Sequence, residues 1–97
     1  MPFIVELGGK YCLWSRVSDS PATYLMTEGE LFDHLVSENP YLDREGFEMR
    51  MARVRNDGGC SGLYFTKQDL IDSNRAGPNQ SHVETEAELI ALYTAPT

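Results

Sequence analysis

Two carboxylate pairs recur at one spacing in this chain: Glu30 with Asp33, and Asp69 with Asp72. Residues three apart on a helix share a face, with Cβ atoms about 5 to 6 Å apart. By the same geometry each pair points away from its apolar neighbours, Leu31 and Leu35 in one case, Leu70 and Ile71 in the other. Like charges this close cost a few tenths of a kcal/mol, which the helix dipole offsets where Glu30 and Asp69 stand in a first turn. Plain solvated surface therefore accounts for them. Such pairs also resemble a row of phosphates, since one DNA strand advances about 3.4 Å per charge. With Glu28, Glu38 and Glu86 around them, the four carboxylates could form an anionic face that occupies a nucleic-acid site on a protein partner.

Other chemistry is sparse. His34 and His82 have no partner at a fixed spacing, and His34 falls on the polar side of its helix. Cys12 and Cys60 form neither a disulfide framework nor a zinc spacing, so reduced structural thiols are expected. The stretch NDGGCSG lacks the lysine and the strand-to-helix setting of a phosphate loop. The expectation is a non-enzymatic protein with no catalytic residue, metal or cofactor.

Basic residues concentrate in one place. Residues 44–57 hold four arginines, Arg44, Arg50, Arg53 and Arg55, against three acids, whereas the flanks hold seven acids to two bases and five to two. The chain has 15 acids and 8 bases, a formal charge of −7. An acidic body repels a polyanion, so direct nucleic-acid binding is not expected. Arg44 and Glu48 can pair on a solvated helix face, and Arg50 with Arg53 could meet an acidic protein surface. A second class of function is thus an adaptor or antitoxin-like module that works through Trp14 and the arginines.

The elements that must position these groups are legible in outline. Residues Phe3 to Leu7 and Lys10 to Val17 read as strands around Gly8-Gly9, a link that tolerates the positive φ of a hairpin turn. Ser18 to Pro21 reads as a second turn and Ala22 to Met26 as a third strand, giving an antiparallel meander. Both faces of the second strand are partly apolar. Helices are expected over one of them, with Trp14 either packed at the edge or exposed for a partner.

Three stretches then share one grammar: TEGEL from Thr27, TKQDL from Thr66 and TEAEL from Thr85. In each, a threonine N-cap is followed three residues later by an acid, the pattern of a capping box. Met26 with Leu31, and Phe65 with Leu70, supply hydrophobic staples to the first two. The unequal spacing of the copies fits helix starts and not a repeat architecture. The first helix is predicted from about Glu28 to Glu38, ended by Asn39-Pro40. After Asp43, Phe47, Met49 and Met51 alternate as in a strand, yet Phe47, Met51 and Val54 also fit one helical stripe; the Met, Arg, Glu and Ala content and the NDGG stop favour a second helix. GLYF from Gly62 reads as a short extended piece, Lys67 to Asn74 as a third helix, RAGPNQSH from Arg75 as a mobile loop, and Glu86 to Tyr93 as a fourth helix.

The fold class is therefore α+β: one domain over residues 1–97, with a small three-stranded antiparallel sheet packed by three to four short helices. Hydrophobic residues at 41% support a packed core in a chain of this size. Neither a secretory signal nor a membrane-length apolar run is visible, so a cytoplasmic monomer is expected.

A short acidic chain with a Gly-Gly hairpin, a capped helix, several small helices and no catalytic centre resembles the small inhibitors encoded by phages and mobile elements. It most resembles the anti-CRISPR proteins that act on type I surveillance complexes, some of which present carboxylates in place of target DNA. The resemblance covers the whole chain in size, charge and element order. It implies a partner with a basic DNA-binding channel, in the cytoplasm of a bacterial host, and block of that channel by the acidic face. The arginine-bearing segment departs from the extreme acidity of the purest DNA mimics.

Overall fold

The computed structural model describes residues 2–96. Gly8 and Gly9 both take positive φ, 61° and 84°, the left-handed backbone that a two-residue hairpin turn requires and that glycine adopts without a side-chain penalty. They join β1 (Phe3–Leu7) to β2 (Lys10–Ser15) in an antiparallel register that sets Phe3 opposite Trp14 and Leu7 opposite Lys10.

The third strand differs from the expected Ala22 to Met26 run. The chain turns over Arg16–Asp19, with Asp19 at φ 53°, and only Ser20–Pro21 pairs with β2 as β3. Pro21, placed in a turn by its lack of a donor, instead occupies an edge strand. Beyond Ala22 the ladder is interrupted. Thr23 Oγ1 accepts the Leu13 N–H at 3.2 Å, Leu25 N–H turns away to the Tyr93 carbonyl, and pairing resumes at Met26 opposite Tyr11.

The opposite edge is covered by a segment with little strand character in its sequence. Glu6 N–H donates to the Gly59 carbonyl, Ser61 N–H to the Ile4 carbonyl, and Ile4 N–H to Ser61 Oγ at 2.8 Å. Pairing thus falls on Gly59–Ser61, and the GLYF stretch that follows is a bend and turn, not an extended piece.

Four helices follow the meander: α1 (Glu28–Glu38), α2 (Arg44–Asn56), α3 (Lys67–Ser73) and α4 (Glu86–Tyr93), with a single 3-10 turn at Pro78–Gln80. Caps fix their starts. Thr27 and Thr66 form full capping boxes with Glu30 and Asp69, and Asp43 caps α2 by accepting the Gly46 N–H at 2.7 Å. At α4 the expected box is half formed. Thr85 Oγ1 accepts the Glu88 N–H, but the Glu88 carboxylate meets the Thr85 hydroxyl and not its backbone.

Helices cover both faces of the sheet, not one. Ile4 and Leu13 pack with Leu31 and Leu35 of α1 and with Phe47, Met51 and Val54 of α2. Val5, Leu7, Cys12 and Trp14 point the other way, into a second cluster with Leu70 and Ile71 of α3 and Leu89 of α4. Strand alternation sends successive side chains to opposite faces. Because both sets are apolar, each needs a cover.

The segment expected to be a mobile loop is tied down. Asn74, 1% exposed, donates to the carbonyls of Ile71 and Val83 and accepts the N–H groups of Ala76 and Val83. Tyr93 Oη adds a bond to the Ala76 carbonyl at 2.9 Å. Among the described residues no helix is long and apolar enough to cross a membrane.

Candidate functional site

The carboxylates singled out by spacing are divided by the sheet. Glu28, Glu30, Asp33 and Glu38 lie on α1, over the Ile4/Leu13 face, whereas Asp69, Asp72 and Glu86 belong to α3 and α4 over the Val5/Trp14 face. A single anionic face uniting all seven is therefore not what the layering builds. Sequence spacing determines which way a side chain leaves its own helix. It carries no information on which side of the sheet that helix lands.

Within the α1 layer the acids differ in their engagement. Glu28 is bonded to Arg55, and Glu38 Oε1 lies 3.3 Å from His34 Nε2. Glu30 accepts the Thr27 N–H at 2.9 Å through Oε1. Bonds from the Thr27 backbone and side chain hold its carboxyl below the ordinary value, with a smaller contribution from Lys10, so this exposed group stays ionised. Asp33 is exposed one turn along, on the same outward side.

On the other layer, Asp69 Oδ2 accepts the Thr66 N–H at 2.8 Å and Asp72 Oδ1 accepts from Gln68 Nε2 at 2.8 Å. Glu86 lies 3.3 Å from Lys67 Nζ, which also reaches Glu6 at 2.9 Å.

Several of the basic side chains are engaged within the molecule, although Lys10, Arg16, Arg44, Arg55 and Arg75 are exposed. Arg16 lies 4.1 Å from the centroid of Phe65, and Arg44 4.4 Å from that of Phe32, both within cation–π range. Arg50 Nη2 donates to the Pro2 carbonyl at 3.0 Å and Arg53 Nε to the Ser61 carbonyl at 3.1 Å. Arg55 meets Glu28 and Glu48, and Arg44 Nε stands 3.8 Å from Glu48, the pairing expected from sequence. Carboxylates stand exposed on α1, α3 and α4, whereas α2 carries four arginines to two glutamates.

Trp14 is 1% exposed, so it is a core residue and cannot centre a contact surface. Its position on the Val5 face, under α3 and α4, explains this. Its indole N–H finds no acceptor among the described residues. The arginine half of that alternative does have a structural counterpart. A groove of about 320 Å3 runs between β1 and α2, with Phe3, Arg50, Arg53, Leu63, Tyr64 and Phe65 along it. Sequence reading missed the groove because its walls come from three distant segments. The one available signal was the run Leu63-Tyr64, apolar and flanked by glycine and turn residues; both side chains are exposed, at 75% and 88%.

Cys12 and Cys60 are both buried free thiols. Each belongs to a strand-like segment beside Val5, which pairs with Cys12 on one side and bridges to Cys60 on the other. Burial, with a smaller contribution from Cys60, pushes the Cys12 thiol up to about 12. His82 Nδ1 is 3.0 Å from the Asn74 carbonyl. Among the described residues no three or more His, Cys, Asp or Glu side chains converge as a metal site would require.

The fold is a small α+β domain in which a short sheet lies between two helix pairs, with carboxylates exposed on α1, α3 and α4. The chain matches no family model, and no similarity to a curated protein or to a solved structure is detected.

Proposed function

We propose that this chain is a non-enzymatic inhibitor that binds a type I CRISPR surveillance complex and blocks its DNA-binding channel through the solvent side of α1. The observation that carries this reading is the outer side of α1, where the Glu30 and Asp33 carboxylates stand exposed one turn apart. A cationic channel evolved for phosphates meets a complementary potential there. Of the two acidic layers, α1 is the better candidate. It carries Glu28, Glu30, Asp33 and Glu38 with no lysine or arginine across its 11 residues. At 1.5 Å per residue it spans about 16 Å, the axial length of roughly five nucleotides of one strand.

The test uses amide substitutions, because charge reversal at Glu30 or Asp69 would also remove a capping box. Gln at Glu30 retains the cap. Glu30→Gln with Asp33→Asn should weaken binding to a purified type I surveillance complex and flatten its dependence on salt. Asp69→Asn with Asp72→Asn, on the other layer, should leave both nearly unchanged. Binding that ignores the α1 pair, or that does not compete with target duplex DNA, overturns the proposal.

A further inference from the structure

The groove between β1 and α2 has the opposite character to the outer side of α1. Arg50 and Arg53 lie one turn apart on α2 and both line it. Neither has a carboxylate within ion-pair distance among the described residues, although the chain carries 15 acids. Glu38 lines an adjoining cleft with Arg50, but its carboxylate is engaged with His34. A third cation stands behind the apolar wall, where Arg16 packs over the rings of Phe65 and Phe3, at 4.1 and 5.7 Å. Partial burial of Arg50 and the charge of Arg53 both depress the Arg50 guanidinium, the mark of a cation held beside a like charge without compensation. Each guanidinium uses a single N–H on a backbone carbonyl, which leaves donors on both for a ligand.

The apolar side of the groove is equally open. Leu63 and Tyr64 are exposed to solvent, and the tilted Phe3–Phe65 ring pair, with centroids 5.7 Å apart, lines the same groove. A volume of about 320 Å3 is at the low end of small-ligand sites, roughly 300 to 1,000 Å3. That suits one or two side chains.

We propose that this groove binds an acidic peptide segment of a partner protein, with a carboxylate on Arg50 and Arg53 and an adjacent apolar side chain against Leu63, Tyr64 and Phe65. The proposal is independent of the α1 reading, because it uses a different surface and the opposite charge. A nucleic acid is the poorer fit, since a polyphosphate that extends beyond the groove meets a chain of net charge −7. An inorganic anion would leave the apolar rim unused.

The test is a titration of the 15N-labelled full chain, followed by NMR, with a blocked pentapeptide alternating glutamate with leucine and phenylalanine. Saturable shifts are expected at the backbone amides of residues 62–65 and at the Arg53 Nε–H. The glutamine version of the peptide should bind roughly tenfold more weakly, as loss of a charged hydrogen bond dictates. Arg50→Gln with Arg53→Gln should have the same effect. Tyr64→Ala, an exposed change that leaves the core intact, should weaken the peptide severalfold. Inorganic phosphate and a short single-stranded DNA serve as the competing ligands. No saturable shift at the groove, equal binding of the glutamine peptide, stronger binding of phosphate or DNA, or indifference to Tyr64→Ala would each overturn the proposal.

Discussion

Glu6 Oε1 lies 2.9 Å from Lys67 Nζ, across 61 residues of sequence, while the other oxygen of the same carboxylate accepts the Gly9 N–H at 2.6 Å. One side chain thus ties the hairpin turn to the first residue of α3. Lys67 completes the link by reaching Glu86 on α4, so a three-member ion network joins β1 to the first residues of α3 and α4.

Partial burial of Glu6 acts to raise its pKa, but the Lys67 hydrogen bond, the Gly9 N–H and the lysine charge outweigh it and leave the carboxyl below its usual value. A carboxyl depressed in the folded state contributes stability that is present above its unfolded value of about 4.5 and is lost as pH falls through the folded one. For Lys67, burial lowers the pKa and the two carboxylates raise it, with the carboxylates dominant. Its contribution is present below its unfolded value, near 10.5, and is lost as pH rises through the folded one. The network therefore stabilises the fold across the neutral range and fails at both extremes. Thermal melting followed from pH 3 to 7 should show a steeper acid loss in the parent than in Glu6→Gln. Parallel acid limbs would mean that the bond is not formed in solution.

The threonine caps make a second, graded prediction. Thr27→Ala and Thr66→Ala each remove the acceptor for an orphan N–H and disable a reciprocal bond, at a cost of about 1 kcal/mol. Thr85→Ala should cost less, because only the backbone half of its cap is formed. Urea denaturation of the three variants checks the order. A Thr85 effect as large as that of Thr27 contradicts it.

Those caps are also why much of the fold was legible. The threonine-to-acid spacing placed the starts of α1, α3 and α4, and Asn39-Pro40 marked the end of α1. Of the two patterns after Asp43, the helical stripe Phe47, Met51 and Val54 proved to be the buried face of α2, and Met49 of the strand-like alternation is exposed. Local rules failed where a long-range bond took over. Leu25 leaves the third strand to bond Tyr93, and Gly59–Ser61, with no β-branched residue, covers the edge of β1. The same limit applies to the candidate site. Helical geometry predicts that Glu30 and Asp33 face outward. That α3 sits across the sheet from α1 depends on which strand residues each helix covers, Val5 and Trp14 or Ile4 and Leu13.

Thiol reactivity offers a check on the second core layer. Cys12 and Cys60 are fully buried, and burial raises both thiols above their ordinary value of 9.0. Little thiolate forms at pH 8, and reagent cannot reach it. Both cysteines should react with an aromatic disulfide reagent only as fast as the protein opens, and rapidly in denaturant. Immediate labelling of either in native buffer would place it outside the core.

Separation of the two clusters by the sheet yields the last prediction. Ile4 is fully buried among α1 and α2 residues, whereas Ile71 is 5% exposed among residues of the opposite layer. Ile→Val at each removes one methylene and should cost about 0.5 to 1.5 kcal/mol. Because no side chain is common to the two clusters, the double variant should lose the sum of the single losses to within about 0.5 kcal/mol. Equilibrium urea titrations with an unchanged slope provide the measurement. A larger discrepancy would mean that the strands transmit packing strain from one helix layer to the other. Occupation of either outer surface would then be felt at the opposite one.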